Sequence, residues 1–323
     1  MKTRSSFGAQ AYWIGFSAVL LGLSGCVSQE AAPPMAPATR KAAPFKPLTQ
    51  PVNLGLVINT KLREAEVSFT ADGRTMYFNC QMRPDPAGND ICISRLSGTL
   101  ENGRWSKPEI VAPGVISLTD KAEVEPLISP DGKRLYFMSH ARAGGLGAGD
   151  IWYSDNVDGV WQSPKNLGPP FNTAFNDHCL FFSADGNEAF WTSTRPGGYG
   201  GNDIWTSRKV NGVWQPAVNL GPNVNSPYSD HHSIPSPDGK SLYVTSGRPG
   251  GVGGEDIYVT TRDHTGAWDP LVNLGPLVNS EKDDRCPTLT PDSRVFLFDS
   301  ERPGGHGGKD IWWVYYDQIK HIR

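Results

Sequence analysis

A unit of about 54 residues that occurs five times constrains this chain more than any other feature. Two markers recur once in each unit, and successive copies of each are 53 to 60 residues apart. The first marker is an Asp that is followed by Gly in four copies and by Ser in the last: Asp72, Asp131, Asp185, Asp238 and Asp292. The second is an Asp-Ile pair, at Asp90, Asp150, Asp203, Asp256 and Asp310. Two markers with one period predict a repeat architecture.

Each unit reads as four short antiparallel strands. An apolar run such as 242–246 follows the Asp-Gly turn, which is typical of a β-hairpin. The Asp-Ile pair opens a third strand, and an Asn-Gly turn such as Asn211-Gly212 leads to a fourth strand at a recurring Trp. Four strands per repeat predict one blade of a β-propeller, an all-β fold that protects its sheet edges by radial repetition.

The two ends of the chain set the number of blades. Residues 51–55 resemble the fourth-strand segments of later units but precede the first unit, and the last unit stops after its third strand. We therefore predict a five-bladed propeller over residues 50–319, whose ring is closed by a strand at 50–58. The predicted blades are 64–122, 123–176, 177–229, 230–283 and 284–319.

The repeat closely resembles the WD40-like, TolB-type repeat known as PD40. Ser236-Pro237-Asp238-Gly239 and Arg248-Pro249-Gly250-Gly251 carry the resemblance, which extends over nearly all of residues 50–317. Members of that family occur as scaffolds of the periplasm and the outer membrane. The resemblance implies a propeller in the bacterial envelope, and it does not specify a ligand.

The N-terminus predicts export and a lipid anchor. Lys2 and Arg4 precede a short apolar run that ends at Cys26, the layout of a secretory signal peptide. The last four residues of this segment, 23–26, resemble the bacterial lipobox, which implies that residues 1–25 are removed and that Cys26 carries the lipid. Residues 26–49 are rich in Ala and Pro and predict a tether. Val27 after the Cys suggests the outer membrane, with the propeller facing the periplasm.

Charged residues recur on the loops that join the second and third strands and successive blades. We expect both loop sets to emerge on one face, and rigid scaffolds favour such loops for binding. An acid and an Arg occur in every unit: Glu64, Glu123, Asp177, Asp230 and Asp284, with Arg83, Arg142, Arg195, Arg248 and Arg302. Because every unit has both, we favour a structural ring of acid–Arg pairs over a ligand-binding rim.

The repeat breaks two residues after each of these acids, where the innermost strand should enter the central channel. That position holds, in chain order, Glu66, Glu125, Cys179, His232 and Cys286. The residue before it is Ala65, Val124, His178, His231 or Arg285. These side chains suit a transition metal or an anionic group. However, no close metal-ligand spacing is present, and neighbouring strand positions point to opposite sides.

Three interpretations of the channel therefore stay open: a polar small ligand, a metal ion and a water-filled structural channel. We favour the structural channel and predict neither a metal nor a cofactor. The ligand-binding candidates are Glu66, Glu125, His178, Cys179, His231, His232 and Arg285.

The remaining sequence features concern cysteines and glycines. Cys80 and Cys92 lie on neighbouring strands, and an oxidising compartment permits a disulfide between them, although sequence alone leaves the pairing open. Cys179 and Cys286 lie two blades apart and would meet only across the channel. The Gly-rich segment 197–201 lacks the Lys-Ser/Thr of a phosphate-binding loop, so we interpret it as a tight turn.

Three classes of function follow. The leading hypothesis is a non-enzymatic, lipid-anchored propeller that binds an envelope protein or a cell-wall glycan such as peptidoglycan. The alternative is a carbohydrate-active enzyme with its site at the channel mouth, for which Glu66 and Glu125 are the nominated carboxyl pair. A structural subunit that uses the blade rims is the third. The formal net charge of −3 argues against a nucleic-acid partner.

Overall fold

The computed structural model describes residues 46–82 and 88–322, and its strands form five antiparallel sheets. In four of the sheets the strands pair in chain order, so the chain completes each of these blades before it begins the next. The fifth sheet is completed by Val52–Asn53, which pairs with the third strand of the last blade. The predicted five-bladed propeller, closed by an N-terminal strand, is confirmed.

The blades share one pattern of strands, in which the fourth strand is short and in three blades consists of two pieces. Blade 1 contains Glu64–Phe69, Thr75–Cys80, Asp90–Ser97, Arg104–Trp105 and Glu109–Ile110. Blade 2 contains Glu123–Ile128, Arg134–His140, Gly149–Val157, Val160–Trp161 and Lys165–Asn166. Blade 3 contains Asp177–Phe182, Glu188–Ser193, Asp203–Val210, Val213–Trp214 and Val218–Asn219.

The last two blades vary this pattern. Blade 4 contains Asp230–Pro235, Ser241–Ser246, Asp256–Thr261 and Val272–Asn273. Blade 5 contains Asp284–Leu289, Val295–Ser300, Asp310–Tyr315 and the closing Val52–Asn53. A single 3-10 turn, Tyr316–Gln318, follows the last strand. No helix among the described residues is long and apolar enough to cross a membrane.

The closing strand is shorter than the predicted 50–58. Val52 lies opposite Trp313 and Asn53 opposite Trp312. Gly55 then has a φ of 91°, a left-handed conformation that turns the chain out of the sheet. Because two residue pairs are enough to place this segment beside the last blade, the ring closes without a full-length strand.

The hydrophobic core is divided among the gaps between neighbouring blades. Each of five clusters combines side chains from two adjacent blades, including blades 5 and 1 across the closure. Between blades 2 and 3, the ring of Phe171 lies edge-on to Trp191 at 5.1 Å, and both side chains are buried. A core at every gap fixes the angle between blades and so holds the five innermost strands around one axis.

A recurring asparagine, not among the residues singled out from the sequence, fastens four of the five long connections to the preceding blade, and Ser117 accepts from Ile91 N–H in the remaining one. In one copy, Asn225 Nδ2 donates to the carbonyl of Ile204 at 3.0 Å, and Ile204 N–H donates to Asn225 Oδ1 at 2.8 Å. Asn59, Asn172 and Asn279 make the same two hydrogen bonds elsewhere in the ring. The loops between blades therefore start from fixed positions.

Candidate functional site

The axial residue of every innermost strand lies in a β-bulge. The register between the first and second strands shifts at this point in all five blades. The five residues have left-handed φ angles between 46° and 58°, although none is glycine: Glu66, Glu125, Cys179, His232 and Cys286. A bulge re-aims side chains and bends its strand, and strained backbone of this kind persists only where surrounding contacts enforce it.

Those contacts run from blade to blade. Glu125 N–H donates to Glu66 Oε2 at 2.8 Å, and Cys179 N–H donates to Glu125 Oε2 at 2.5 Å. At the next two steps a threonine hydroxyl replaces the carboxylate, because Thr192 accepts from His232 N–H and Thr245 accepts from Cys286 N–H. The bulged backbone is thus a structural device that links successive blades.

The bulge also overturns the expectation that neighbouring axial residues point to opposite sides. His178 Nδ1 lies 3.0 Å from Glu125 Oε1, and the Cys179 thiol donates to the same oxygen at 3.1 Å. His178 and Cys179 themselves approach to 2.9 Å. The alternation rule assumes extended backbone throughout, and a left-handed residue breaks it.

The two carboxyl groups nominated for catalysis have opposite environments. Burial raises the pKa of Glu66 to about 7, and the nearby carboxylates of Glu125 and Asp299 add to the effect. Burial acts in the same direction on Glu125, but His178 and His232 outweigh it and hold the pKa of that carboxyl far below its usual range. Such a divergence is typical of acid–base pairs, so access must decide whether this pair can act on a substrate.

Access to the axial carboxylates is very limited. The cavity lined by the five axial residues measures about 10 Å³, close to the minimum that holds one water. A sugar ring cannot enter a space of this size, and neither can a column of water. At this depth the Glu66–Glu125 pair therefore lacks room for a glycoside. Toward the Asp-Gly turns, the space between the five innermost strands widens to a cavity of about 350 Å³, and the water-filled channel stays a prediction.

At the end of the channel nearest the long loops, ionisable side chains form a connected network. His178 Nε2 contacts Asn202 Oδ1 at 3.2 Å, so both nitrogens of this ring face acceptors. Burial lowers the pKa of His178, but the Glu125 charge outweighs it and raises the value overall. Arg285 pairs with both Glu255 and Asp283, and Glu255 also accepts from His231 at 3.1 Å.

The acid–Arg pairs form a buried ring in the four blades where both members are described. The carboxylate–guanidinium distances lie between 2.5 and 2.9 Å, and the acids have no exposed side-chain surface: Glu123–Arg142, Asp177–Arg195, Asp230–Arg248 and Asp284–Arg302. The arginines also donate to backbone carbonyls of the preceding connection, such as Arg195 to Pro170. In blade 1, Glu64 accepts from Thr60, while Arg83 lies outside the described residues. These contacts are those of a structural ring.

The cysteines fall into two classes. A disulfide joins Cys80 and Cys92, and Cys179 and Cys286 are free, buried thiols that line the axial cavity. Burial is the main cause that raises the pKa of both free thiols well above the usual value. The predicted lipidation site, Cys26, lies outside the described residues together with the signal peptide and most of the tether.

The Gly-rich loops bind an acid of the protein itself. Asp203, from the Asp-Ile marker, accepts from the backbone N–H of Tyr199 at 3.0 Å and of Gly200 at 3.3 Å. The same arrangement occurs in blades 2, 4 and 5. These amides are therefore occupied, and the loops do not form a phosphate cradle.

A groove between blades 3 and 4 was not foreseen from the sequence. Two cavities of about 480 and 550 Å³ lie on either side of a charged cluster of Glu188, Arg208 and Arg262. Arg262 pairs with Glu188 at 2.7 Å and lies over the Trp268 ring at 4.2 Å. Part of the signal was present in the sequence, because the turn at 262–267 is one residue longer than its counterparts in the two preceding units.

Comparison with solved structures supports the fold. An α-L-arabinofuranosidase from Podospora anserina, solved with cellotriose, matches with a TM-score of 0.50 and 14% identity over 84% of this chain and 94% of that one. A Bacillus subtilis arabinanase matches with a TM-score of 0.50 and 10% identity over 82% of this chain and 97% of that one. Neither is described as a TolB-type protein. No protein-family model and no curated protein matches the sequence.

Proposed function

We propose that this protein binds an extended, neutral oligosaccharide in the groove between blades 3 and 4. The observation that carries the proposal is the pair of cavities that meet at the Glu188–Arg208–Arg262 cluster. Each cavity has the volume of a small-molecule site, in the range of about 300 to 1,000 Å³. Together they offer an elongated surface, which suits a chain of sugar units better than a single compact ligand.

The chemistry of the groove favours a polyhydroxylated ligand without net charge. Its lining contains three acids and three cations, so the formal charges balance: Asp185, Glu188 and Asp238, with Arg208, Lys209 and Arg262. The amide side chains of Gln215, Asn219 and Asn223 add further donors and acceptors. A sugar hydroxyl both donates and accepts, so it can pair with acids, cations and amides alike.

The comparisons agree with a carbohydrate ligand. Both structures reported above carry the names of enzymes that act on arabinose-containing glycans, and one was solved with a cello-oligosaccharide. For this chain we propose the ligand class alone, because the fold is what is shared. The protein-partner hypothesis stays an untested prediction.

Titration calorimetry with arabinan, xylan, cello-oligosaccharides and peptidoglycan fragments tests the proposal. Gln215 and Gln162 are equivalent in the repeat, and each donates from Nε2 to the carbonyl two residues earlier. Only Gln215 lines the groove described here. We expect Gln215→Ala combined with Arg208→Ala to weaken binding about tenfold, as expected when about 1.4 kcal/mol of contacts is lost. The matched Gln162→Ala variant should bind like wild type.

The proposal fails if no glycan of the panel binds, or if Gln162→Ala weakens binding as much as the groove variants do. Because Arg208 is exposed and the Gln215 contact lies at the surface, neither change should unfold the protein. A thermal melt of each variant checks this directly.

Hydrolysis of the glycan is a second candidate, favoured by the enzymatic names of the structural neighbours. This candidate uses a site other than the groove, at the long-loop mouth, where the partly exposed carboxylates of Glu255 and Asp283 both pair with the Arg285 guanidinium. Glycoside cleavage needs two carboxyl groups on either side of the scissile bond, so Arg285 must move out from between them before a substrate can enter. Release of reducing ends that Glu255→Gln and Asp283→Asn both abolish would support hydrolysis, and binding without release would contradict it.

We further propose that Cys26 anchors the protein by a lipid to the bacterial outer membrane, facing the periplasm, and that the repeat is of the PD40 type. The support for both lies in the sequence: the lipobox-like segment 23–26 and the Ser-Pro-Asp-Gly turns. Labelling with a radioactive fatty acid should mark the wild-type chain and leave Cys26→Ser unlabelled. Equal labelling of both would exclude this anchor.

A further inference from the structure

The ionisable residues at the propeller axis form three overlapping clusters of metal-ligating types. The donor atoms lie within 4.8 Å of one another in each cluster: Glu125, His178 and Cys179; Glu66, His232 and Cys286; and Cys179, His231 and His232. The third cluster shares Cys179 with the first and His232 with the second. The first two clusters have no residue in common, and they differ in how far their hydrogen bonds are satisfied. That difference separates a structural network from a site that can take a ligand.

The Glu125 cluster is satisfied internally. Its carboxylate contacts the His178 ring and the thiol and backbone N–H of Cys179, all within 3.1 Å. The second nitrogen of His178 contacts Asn202. Every strong donor and acceptor in this cluster has a protein partner, so nothing in it is left for an ion.

The Glu66 cluster contains an imidazole nitrogen without a hydrogen-bond partner. His232 is 7% exposed and lines the axial cavity, yet its Nε2 has no such partner among the described residues. Glu125 Oε1 lies 3.7 Å from this nitrogen, beyond hydrogen-bond distance. A buried polar atom in this state costs free energy unless something binds it.

The protonation of this nitrogen follows from a chain of contacts that begins at Glu255. Glu255 Oε1 lies 3.1 Å from His231 Nε2, and a carboxylate accepts, so His231 carries its proton on Nε2. In the neutral form of His231, Nδ1 is then an acceptor, and His232 Nδ1, 2.7 Å away, donates to it. In that arrangement the lone pair of His232 lies on Nε2, the atom that has no hydrogen-bond partner among the described residues.

We propose that Glu66, His232 and Cys286 bind one divalent transition-metal ion of the zinc class at the propeller axis. These three side chains line the same cavity of about 10 Å³, which leaves space for one atom-sized occupant. Carboxylate oxygen, imidazole nitrogen and thiolate sulfur are the ligands that Zn²⁺ takes, whereas Ca²⁺ and Mg²⁺ require several oxygens. A carboxylate and a thiolate also neutralise the charge of a divalent ion.

The surroundings fit such an ion in two further respects. The chain from Glu255 through His231 orients the His232 ring, as a carboxylate commonly does for a metal-binding histidine. The three ligands come from blades 1, 4 and 5, so the ion would connect the first and last blades across the point where the ring closes. Its role would be structural, because the cavity leaves no space for a substrate.

Binding of Zn²⁺ and Co²⁺ to the chelator-treated protein, kept anaerobic to protect the thiols, tests the proposal. We expect one ion per chain, measured by calorimetry and elemental analysis. Bound Co²⁺ should show the near-ultraviolet absorption of cobalt–thiolate charge transfer, a signature that binding at the surface by histidine alone would lack. The Zn²⁺ form should also melt at a higher temperature than the metal-free form, because a ligand of the folded state stabilises it.

Variants at equivalent positions identify the ligands. Cys286→Ser should abolish the cobalt–thiolate absorption and lower the Zn²⁺ affinity by about tenfold or more, while Cys179→Ser should retain both. The two cysteines are buried at the same position of the repeat, so they control for the loss of a buried thiol. Glu66→Gln is isosteric and should weaken binding without unfolding the protein.

Three results would overturn the proposal. The first is that the chelator-treated protein binds no stoichiometric ion after Zn²⁺ is added. The second is that Cys286→Ser keeps the cobalt–thiolate absorption unchanged. The third is that Cys179→Ser loses as much Zn²⁺ affinity as Cys286→Ser does. If Cys286→Ser fails to fold, Glu66→Gln decides, because wild-type affinity in that variant contradicts the ligand set.

Discussion

Replacement of Arg195 by Met should destabilise the propeller far more than replacement of an exposed arginine. Arg195 donates to Asp177 at 2.8 Å and to the carbonyls of Pro170 and Phe171, and its side chain is 10% exposed. Without it, the Asp177 carboxylate stays fully buried without its cation. If the acid–Arg pairs serve the fold, this change must appear in the free energy of unfolding.

The size of the effect follows from the groups left behind. Removal of one partner of a buried ion pair costs about 3 to 5 kcal/mol. Asp177 would keep neutral donors from Thr173 and Ser193, which favours the lower end of that range. The two released carbonyl oxygens would add about 1 kcal/mol each if they stay dry. We therefore expect a loss of about 3 to 5 kcal/mol in all.

Urea unfolding followed by tryptophan fluorescence measures this loss. The control is Arg95→Met, because Arg95 pairs with Glu109 at 3.6 Å with both side chains more than half exposed. That pair should contribute about 0 to 1 kcal/mol. In a double-mutant cycle, Arg195→Met should cost much less once Asp177→Asn has removed the buried charge.

An Arg195→Met variant as stable as the control would refute the structural interpretation. The arginines would then be available for a ligand, as the ligand-rim interpretation requires. Unchanged stability together with a loss of glycan affinity would place the binding surface at the ring instead of in the groove between blades 3 and 4.

Three further predictions address other parts of the fold. Changing both Cys80 and Cys92 to Ser should lower the free energy of unfolding by about 2 to 3 kcal/mol, because the disulfide joins two residues that are only 12 positions apart and so closes a short loop. Equal urea midpoints for this variant and the wild type would contradict the prediction. Asn225→Ala should cost about 1 to 3 kcal/mol, because it leaves the buried N–H of Ile204 unpaired, while the Ile204 carbonyl keeps the Leu220 N–H as a donor. Hydrogen exchange at the Ile204 amide should accelerate. In metal-free protein, folding raises the pKa of Glu66 from 4.5 to about 7, so the folded state favours the protonated carboxyl. The stability that this protonation contributes is fully present below pH 4.5 and is lost as the pH rises through 7, a loss of about 3 kcal/mol. Glu66→Gln should remove this pH dependence of the free energy of unfolding, measured with urea at pH 4.5 and pH 8, and an unchanged dependence in the variant would contradict the prediction.

The blade count could be predicted from sequence because it depends on repetition. Asp-Gly turns fix hairpins locally, and the unmatched segment at residues 51–55 revealed how the ring closes. Asp238 shows the local basis of the turn, since its carboxylate accepts from the Ser236 hydroxyl at 2.6 Å and from Lys240 N–H at 3.1 Å. Such contacts span only a few residues, so a sequence pattern contains all of their information.

The residues that line the axis could be predicted from the sequence, but the way their side chains are arranged could not. Strand alternation placed His178 and Cys179 on opposite sides, whereas both contact Glu125. The left-handed bulge responsible for this is not visible in the sequence, because none of the five residues is a glycine. The groove between blades 3 and 4 was missed for another reason: its lining comes from segments about 20 to 80 residues apart, which no local pattern relates.

The residue at the axial position differs among blades because different groups accept the backbone N–H of the next bulge around the ring. Every bulge N–H from blade 2 to blade 5 needs an acceptor on the blade before it. In blade 2 the second strand offers Met138 at the relevant position, which cannot serve, so the axial Glu125 accepts the N–H of Cys179.

In blades 3 and 4, Thr192 and Thr245 lie on the second strand at the position of Met138, and their hydroxyls accept the bulge N–H of the following blade. The axial side chains of blades 3 and 4 are therefore not needed as acceptors. Cys179 and His232 occupy those blades, and His232 is the residue whose Nε2 has no hydrogen-bond partner among the described residues. A threonine on the second strand of blade 4 therefore leaves the axial side chain of that blade, His232, available as a metal ligand. Replacement of Thr245 by Val should weaken the Zn²⁺ affinity, because Cys286 N–H would lose the acceptor that holds the ligand's backbone in its left-handed conformation.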